Sequence, residues 1–86
     1  MLWASLRPDN AKALECYTKA ADGGNGEASH VLGSAYLDGS LGVVQDNEKA
    51  RHYFERAAKL GYAESFATLG AMYANGLGVP ADLPVP

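Results

Sequence analysis

Cysteine is almost absent from the sequence, and so are long apolar runs and the short motifs that carry chemistry. The single cysteine, Cys16, excludes an intrachain disulfide. No apolar run approaches the roughly 18 residues that a membrane-spanning helix needs, so we expect no span within these 86 residues. P-loop, dinucleotide-binding and nucleophile-elbow motifs are missing, and no side chains recur at metal-ligand spacing. The sequence therefore predicts neither an enzyme nor a cofactor or metal site.

The sequence also has no large excess of acidic or basic residues. The net charge is −3, and acidic and basic residues are mixed along the predicted helices. No basic patch with interleaved aromatic residues occurs, so nucleic-acid binding has no electrostatic basis and is not expected. The stretch before Pro8 is too short for the apolar core of a signal peptide.

An internal repeat dominates what is present. When the sequence is shifted by 37 residues, twelve residues between positions 9 and 39 are identical to their counterparts, which is far above chance. After Gly39 the offset falls to 36, and a change of length at this point indicates a loop. The identical residues in the first copy are Asp9, Asn10, Lys12, Ala13, Ala20, Ala21, Gly24, Glu27, Leu32, Gly33, Tyr36 and Gly39.

The repeat unit has helical periodicity. Apolar and small residues recur at positions i, i+3, i+4, i+7 and i+8 across residues 47–60, and a similar stripe runs through residues 27–38. Asp46 is placed to accept from free backbone N–H groups at the start of the second helix. Gly24 and Gly61 follow the two copies of that helix, where glycine adopts the left-handed conformation without steric cost. Each unit is therefore predicted to be two amphipathic helices joined by a loop.

Two glycines fall in the middle of predicted helices. Gly33 and Gly70 each cost roughly 1 kcal/mol relative to alanine at such a position. Because the penalty is repeated, we expect a packing reason, namely close approach of the paired helix with Ala50 opposite Gly33. In that arrangement Gly33→Leu destabilises the fold strongly.

The spacing of these residues resembles a known family. The pattern L-G-x-x-Y-x-x-G, then G-V-x-x-D, then K-A, an aromatic residue and A-A is similar to the Sel-1-like repeat, a relative of the tetratricopeptide repeat. The resemblance covers about residues 9–82. It implies an all-α fold in which antiparallel helix pairs form a right-handed α-solenoid, and a function in scaffolding protein complexes. The cysteine-rich bacterial branch is not indicated, because this chain lacks paired cysteines.

The repeat divides the chain into five parts. We expect a half unit at 9–24, a full unit at 25–61 and a second half unit at 62–82, flanked by stubs at 1–8 and 83–86. Solenoid units cannot bury their faces alone, so about three are normally needed for stability. The chain is therefore predicted to be part of a longer array, with Leu83–Pro86 where a further helix would start.

A protein-binding face is predicted on the first helix of each pair. In the related superfamily this helix lines the concave surface of the solenoid, and an exposed Leu37 beside small residues suits a peptide or helical partner. The alternative, weighted equally, is that the face packs against a neighbouring repeat. The predicted residues are His30, Ser34, Leu37, Ala67, Ala71 and Ala74.

Other residues of chemical interest receive structural interpretations. Cys16 aligns with Tyr53 and is predicted to be packed and half-buried rather than reactive. His30 and His52 lack partners at ligand spacing and are predicted to lie at the surface. Helical spacing assigns a further group to the core: Tyr17, Tyr36, Phe54, Leu69, Met72 and Tyr73.

The function that these observations favour is a non-catalytic adaptor with a protein or peptide partner. The runs 36–42 and 69–78 resemble the early repeats of the eukaryotic adaptors that support a membrane ubiquitin ligase in endoplasmic-reticulum-associated degradation. That branch implies the lumen of the endoplasmic reticulum; otherwise the cytoplasm or a bacterial periplasm is expected. Two alternatives stay open: a mini-array that forms a homodimer through its uncapped ends, and a regulatory repeat module of a larger signalling or cell-wall protein.

Overall fold

Four α-helices of equal length make up the structure, a computed structural model that describes residues 8–78. The helices are α1 (Asn10–Asp22), α2 (Gly26–Asp38), α3 (Asn47–Lys59) and α4 (Ala63–Asn75), each of 13 residues. No strand occurs between residues 8 and 78. The predicted all-α fold is confirmed, and the helical stripes predicted at residues 27–38 and 47–60 agree with α2 and α3 to within one residue. The predicted C-terminal stub and most of the N-terminal stub lie outside the described residues.

Side-chain caps fix where the first three helices begin. Asp9 accepts a hydrogen bond from the backbone N–H of Lys12 at 3.1 Å, and Asn25 accepts from Ala28 at 2.9 Å. Asp46, the cap predicted from the sequence, accepts from both Glu48 and Lys49. Each cap satisfies backbone donors that have no partner inside the helix. The residue before α4 makes no such bond.

Glycine permits the two tight connections at equivalent places in the repeat. Gly24, between α1 and α2, has a φ of +96°, and Gly61, between α3 and α4, has a φ of +91°. Residues with a Cβ rarely adopt this conformation. The prediction that both glycines are left-handed is therefore confirmed.

The helices pack chiefly on their neighbours in chain order, and α2 and α3 share the largest interface. One apolar cluster joins α1 to α2. A second joins α3 to α4 and is covered in part by Leu37 of α2. Buried residues of the first cluster are Ala21, Ala28 and Leu32, and those of the second are Ala50, Phe54, Ala58, Leu69 and Met72. This succession of pairs is the packing of an α-solenoid, as predicted.

The close approach at Gly33 is real, but its partner was predicted wrongly. A Cβ atom at Gly33 would lie 2.8 Å from the aromatic ring of Phe54, closer than packed atoms come, and the three nearest atoms all belong to that ring and none to Ala50. The ring of Phe54 fills the space that the missing side chain leaves, and Phe54 is completely buried. At Gly70, the equivalent position, a Cβ would meet no atom of residues 8–78 within 4 Å. Among the described residues, glycine therefore has a packing role at this position in α2 and none in α4.

Three side chains assigned to the interior are exposed instead. Tyr17 is 38% exposed and Tyr73 is 45% exposed, although both were predicted to be core residues. Cys16 is exposed rather than half-buried. The reason is the same in each case: α1 and α4 are the outer helices of the described stack, and each makes one large interface. Phe54, Leu69 and Met72 are buried as predicted.

Candidate functional site

A pocket of about 310 Å³ opens between α2 and α3. One wall is Tyr36 of α2, and the other wall comes from α3. The lining residues are Tyr36, Lys49, His52, Tyr53 and Arg56. No acidic side chain is among them, so the pocket combines basic groups with aromatic surface.

Helical spacing places the α3 residues of the pocket on one side of that helix. Counted from Lys49, the others stand at i+3, i+4 and i+7, which are neighbouring positions on a helix surface. The ring of Tyr53 stacks on Tyr36 with centroids 5.7 Å apart and planes 6° from parallel. Because stacking fixes both rings, the aromatic wall is in place before any ligand arrives.

The electrostatics of the pocket favour a negatively charged group. The ammonium group of Lys49 lies 5.3 Å from the centre of the Tyr36 ring, a cation–π contact. The guanidinium of Arg56 approaches the carboxylate of Asp22 at 3.5 Å, and both side chains are largely exposed. An ion pair this exposed is weak, so Arg56 can exchange it for the carboxylate of a ligand.

Sequence reasoning missed this pocket. It placed His52 at the surface, which the structure confirms, and assigned Tyr36 to the core, where the structure finds it half-buried. The signal that was overlooked is the recurrence of basic residues at positions 49, 52 and 56, on one side of a helix that also carries Tyr53.

The predicted residues of α2 are packed rather than presented to solvent. The imidazole of His30 shares a hydrogen bond with the hydroxyl of Ser65, with Nδ1 and Oγ 2.8 Å apart. Its ring centroid lies 5.0 Å from those of Phe54 and Tyr62. His30 was expected at the surface, and this is wrong because α3 and α4 both pack against its ring. Leu37, expected to be exposed, packs on the α3–α4 cluster, and Ser34 is half-buried.

The predicted residues of α4 have a different environment. Ala67, Ala71 and Ala74 are all exposed. They correspond by the repeat offset to His30, Ser34 and Leu37, so the six residues do not form one continuous accessible surface. A partner-binding role for the three alanines stays a prediction.

One hydrogen bond ties α3 to the end of α4, and an ion pair within α3 supports it. Arg51 pairs with Glu55 at 2.9 Å, and the Tyr73 hydroxyl donates to the same Glu55 oxygen at 3.2 Å. Burial lowers the pKa of Arg51, but the Glu55 carboxylate more than offsets this and holds the pKa above its ordinary value. Partial burial and the nearby Glu64 carboxylate raise the pKa of the Tyr62 phenol. Neither group is therefore poised for proton transfer near neutral pH.

Within residues 8–78, no group of three or more His, Cys, Asp or Glu side chains is arranged to hold a metal ion. None of the four helices is both long and apolar enough to cross a membrane.

The repeat pattern matches one known family. The family model of the Sel1 repeat matches residues 3–25, 26–62 and 68–84, which together make up most of the chain. Comparison with curated proteins and with solved structures gave no match. The Sel1 repeat is a non-catalytic helical repeat that generally mediates protein–protein interaction. From the matched segments and the paired helices we conclude that the chain belongs to the Sel1 repeat family.

Proposed function

We propose that this chain is an adaptor that binds an acidic peptide segment of a partner protein in the pocket between α2 and α3. The observation that carries the proposal is the lining of the pocket. Three basic side chains surround a stacked pair of tyrosines, and no carboxylate faces them among the lining residues.

The geometry suits a carboxylate beside an apolar group. Arg56 offers a planar fork of donors that matches a carboxylate, and Lys49, one helical turn before Tyr53, offers a point charge. The tyrosine pair supplies apolar surface at little cost in side-chain entropy, because its rings are already stacked. A peptide with acidic residues next to an aromatic or aliphatic residue would use both features.

Peptide titration tests this proposal. A fluorescently labelled peptide rich in glutamate, with one central aromatic residue, is titrated with the 86-residue chain and followed by polarisation. The combined change of Lys49→Gln and Arg56→Gln is expected to weaken binding at least about tenfold, because each lost charge removes an attraction that salt also screens. A version of the peptide with glutamine in place of glutamate should bind the wild-type chain about as weakly as the acidic peptide binds the double variant.

The matched control is Lys59→Gln, which removes one charge from the exposed end of the same helix outside the pocket. It is compared with Arg56→Gln alone. If Lys59→Gln weakens binding as much as Arg56→Gln, binding depends on net charge and the pocket is not the site. If the wild-type chain does not distinguish the acidic peptide from the glutamine peptide, the acidic-peptide proposal is wrong.

A narrower setting for this adaptor role is the ubiquitin-ligase complex of endoplasmic-reticulum-associated degradation. It is supported by the resemblance of the runs 36–42 and 69–78 to the early repeats of adaptors in that complex. Co-purification of a membrane ubiquitin ligase of this pathway with the tagged chain tests it, with the Lys49→Gln and Arg56→Gln double variant as control. Absence of the ligase would remove this setting and leave the peptide-binding proposal standing.

A further inference from the structure

Within the part of the chain that the structure describes, two surfaces at opposite ends of the stack lack the neighbours that their sequence counterparts have. On α4, Phe66 is 63% exposed and Tyr73 is 45% exposed, and no atom of residues 8–78 lies within 4 Å of a Cβ placed at Gly70. On α1, Tyr17 is 38% exposed. We call the first the α4 face (Phe66, Gly70 and Tyr73) and the second the α1 face (Lys12 and Tyr17).

The interface between α2 and α3 shows how two such faces pack against each other. The ring of Phe54 on α3 lies over Gly33 of α2, so closely that a Cβ at Gly33 would be 2.8 Å away. Beside it, Lys49 of α3 lies over the Tyr36 ring at 5.3 Å. The N–H of Asp46, the cap of α3, donates to the Tyr36 carbonyl at 2.8 Å. These are three of the contacts that join α2 to α3.

By the 37-residue repeat offset, each residue of these three contacts has a counterpart in α4 or in α1 and its cap. On one side, Gly33 and Tyr36 become Gly70 and Tyr73, with no change of residue. On the other side, the residues come from α3 and its cap. Phe54, Lys49 and Asp46 correspond to Tyr17, Lys12 and Asp9 of α1 and its cap. Thus α4 carries the receiving half of the interface and α1 carries the inserting half, with Tyr17 still aromatic and Lys12 still cationic.

We propose that the α4 face of one copy of this chain binds the α1 face of a second copy. Tyr17 of the second copy lies over Gly70, and its Lys12 lies over the Tyr73 ring. The arrangement extends the existing stack in the same order of helices, so the α2–α3 interface serves as its template. It uses neither Arg56 nor the pocket between α2 and α3, so this proposal and the peptide-binding proposal can fail separately.

The symmetry of this contact is a testable consequence. Two different surfaces meet, so the association is head-to-tail, and each added copy leaves one α4 face and one α1 face unoccupied. Unlike a two-fold dimer, such a contact allows a series of growing oligomers. Helices α2 and α3 are joined by a loop, which keeps each at an effective concentration on the order of millimolar relative to the other. Two separate copies have no such link, so their contact is weaker. Association is therefore expected to be seen only at high protein concentration.

Analytical ultracentrifugation of the 86-residue chain provides the measurement. The weight-average mass of the wild type should rise with concentration beyond that of a dimer. Gly70→Leu fills the space that Tyr17 needs, and Tyr17→Ala removes the inserted ring. Each variant alone should weaken association at least about tenfold. The matched control is Ala11→Leu, which adds apolar bulk to α1 at the position of the exposed Glu48, outside the template contacts.

Mixing the two variants separates this proposal from its rivals. Gly70→Leu leaves the α1 face intact and Tyr17→Ala leaves the α4 face intact, so the mixture should form a 1:1 dimer and nothing larger. A two-fold contact between α4 faces would instead be insensitive to Tyr17→Ala, which overturns the proposal. A wild type whose mass does not change with concentration also overturns it, and would indicate that another segment or another protein covers α4. Circular dichroism of each variant checks that the helices are retained.

Discussion

Helices α2 and α4 occupy the same position in the repeat, yet their environments differ. Leu32, Gly33 and Tyr36 of α2 correspond to Leu69, Gly70 and Tyr73 of α4 without a change of residue. In α2, Gly33 is buried beneath the ring of Phe54, whereas in α4 Gly70 is exposed and no atom of residues 8–78 lies above it. Leu32 and Leu69 are both buried, so the two helices differ at the glycine and the tyrosine, which are less exposed in α2 than in α4.

The difference lies in the number of large helix interfaces. Among the described residues, α2 is packed between α1 and α3, while α4 packs mainly on α3 and also meets α2 at His30. Ser29 of α2 is fully buried, and its counterpart Phe66 on α4 is 63% exposed. The comparison teaches that a repeat sequence encodes faces for neighbours on both sides, and that each face contributes to stability only when its neighbour is present.

The largest expected effect comes from the ring that fills the α2–α3 interface. Phe54→Ala should lower the free energy of unfolding by about 3–5 kcal/mol, because the ring is fully buried and no neighbour can replace it. Tyr17→Ala, at the equivalent position on α1, removes a partly exposed ring and should cost markedly less. Urea denaturation followed by circular dichroism, at low protein concentration, measures both. Similar losses would mean that α1 is as well packed as α3.

Replacing each of the two glycines by alanine should change the free energy of unfolding in opposite directions. Gly33→Ala places a Cβ 2.8 Å from the Phe54 ring and should destabilise the fold by about 1–3 kcal/mol. Gly70→Ala meets no atom and should stabilise α4 by up to about 1 kcal/mol, because alanine is the better helix former. Thermal unfolding of the two variants beside the wild type measures the difference. Equal shifts in the same direction would show that the two sites share one environment.

The smallest expected effect concerns two serines that are equally buried but differ in their hydrogen bonds. Ser29 and Ser65 are both fully buried. The Ser65 hydroxyl bonds to His30, whereas the Ser29 hydroxyl has no hydrogen-bond partner within residues 8–78. Ser65→Ala should therefore cost about 1 kcal/mol, while Ser29→Ala should be neutral or slightly stabilising. Differential scanning calorimetry resolves the two, and an equal loss would indicate a partner for Ser29.

Sequence periodicity was enough to predict the helices of this chain. The apolar stripes indicated the helices, and Asp46 and Gly61 marked where α3 starts and where it has ended, because caps and left-handed glycines depend on local chemistry. These features depend on residues close together in the chain, which is why one sequence is sufficient to predict them. The solenoid packing was implied by the resemblance of the repeat to the Sel-1-like family.

The environment of individual side chains could not be predicted in the same way. The rotation of α3 about its axis decides that Phe54, and not Ala50, faces Gly33, and periodicity leaves that angle open within one turn. Cys16 was assigned the burial of Tyr53, its repeat counterpart, but α1 has fewer neighbours than α3. The basic pocket was missed because Lys49, His52 and Arg56 also fit an ordinary solvated helix face.

The order of packing along the chain also has a mechanical consequence. Each large interface joins helices that follow one another directly, and the largest is the one between α2 and α3. Few distant segments must meet, so the chain should fold rapidly, starting from the α2–α3 pair. Pulled from its two ends in an optical trap, it should release α1 and α4 first, because each is held by one large interface, and the α2–α3 pair last.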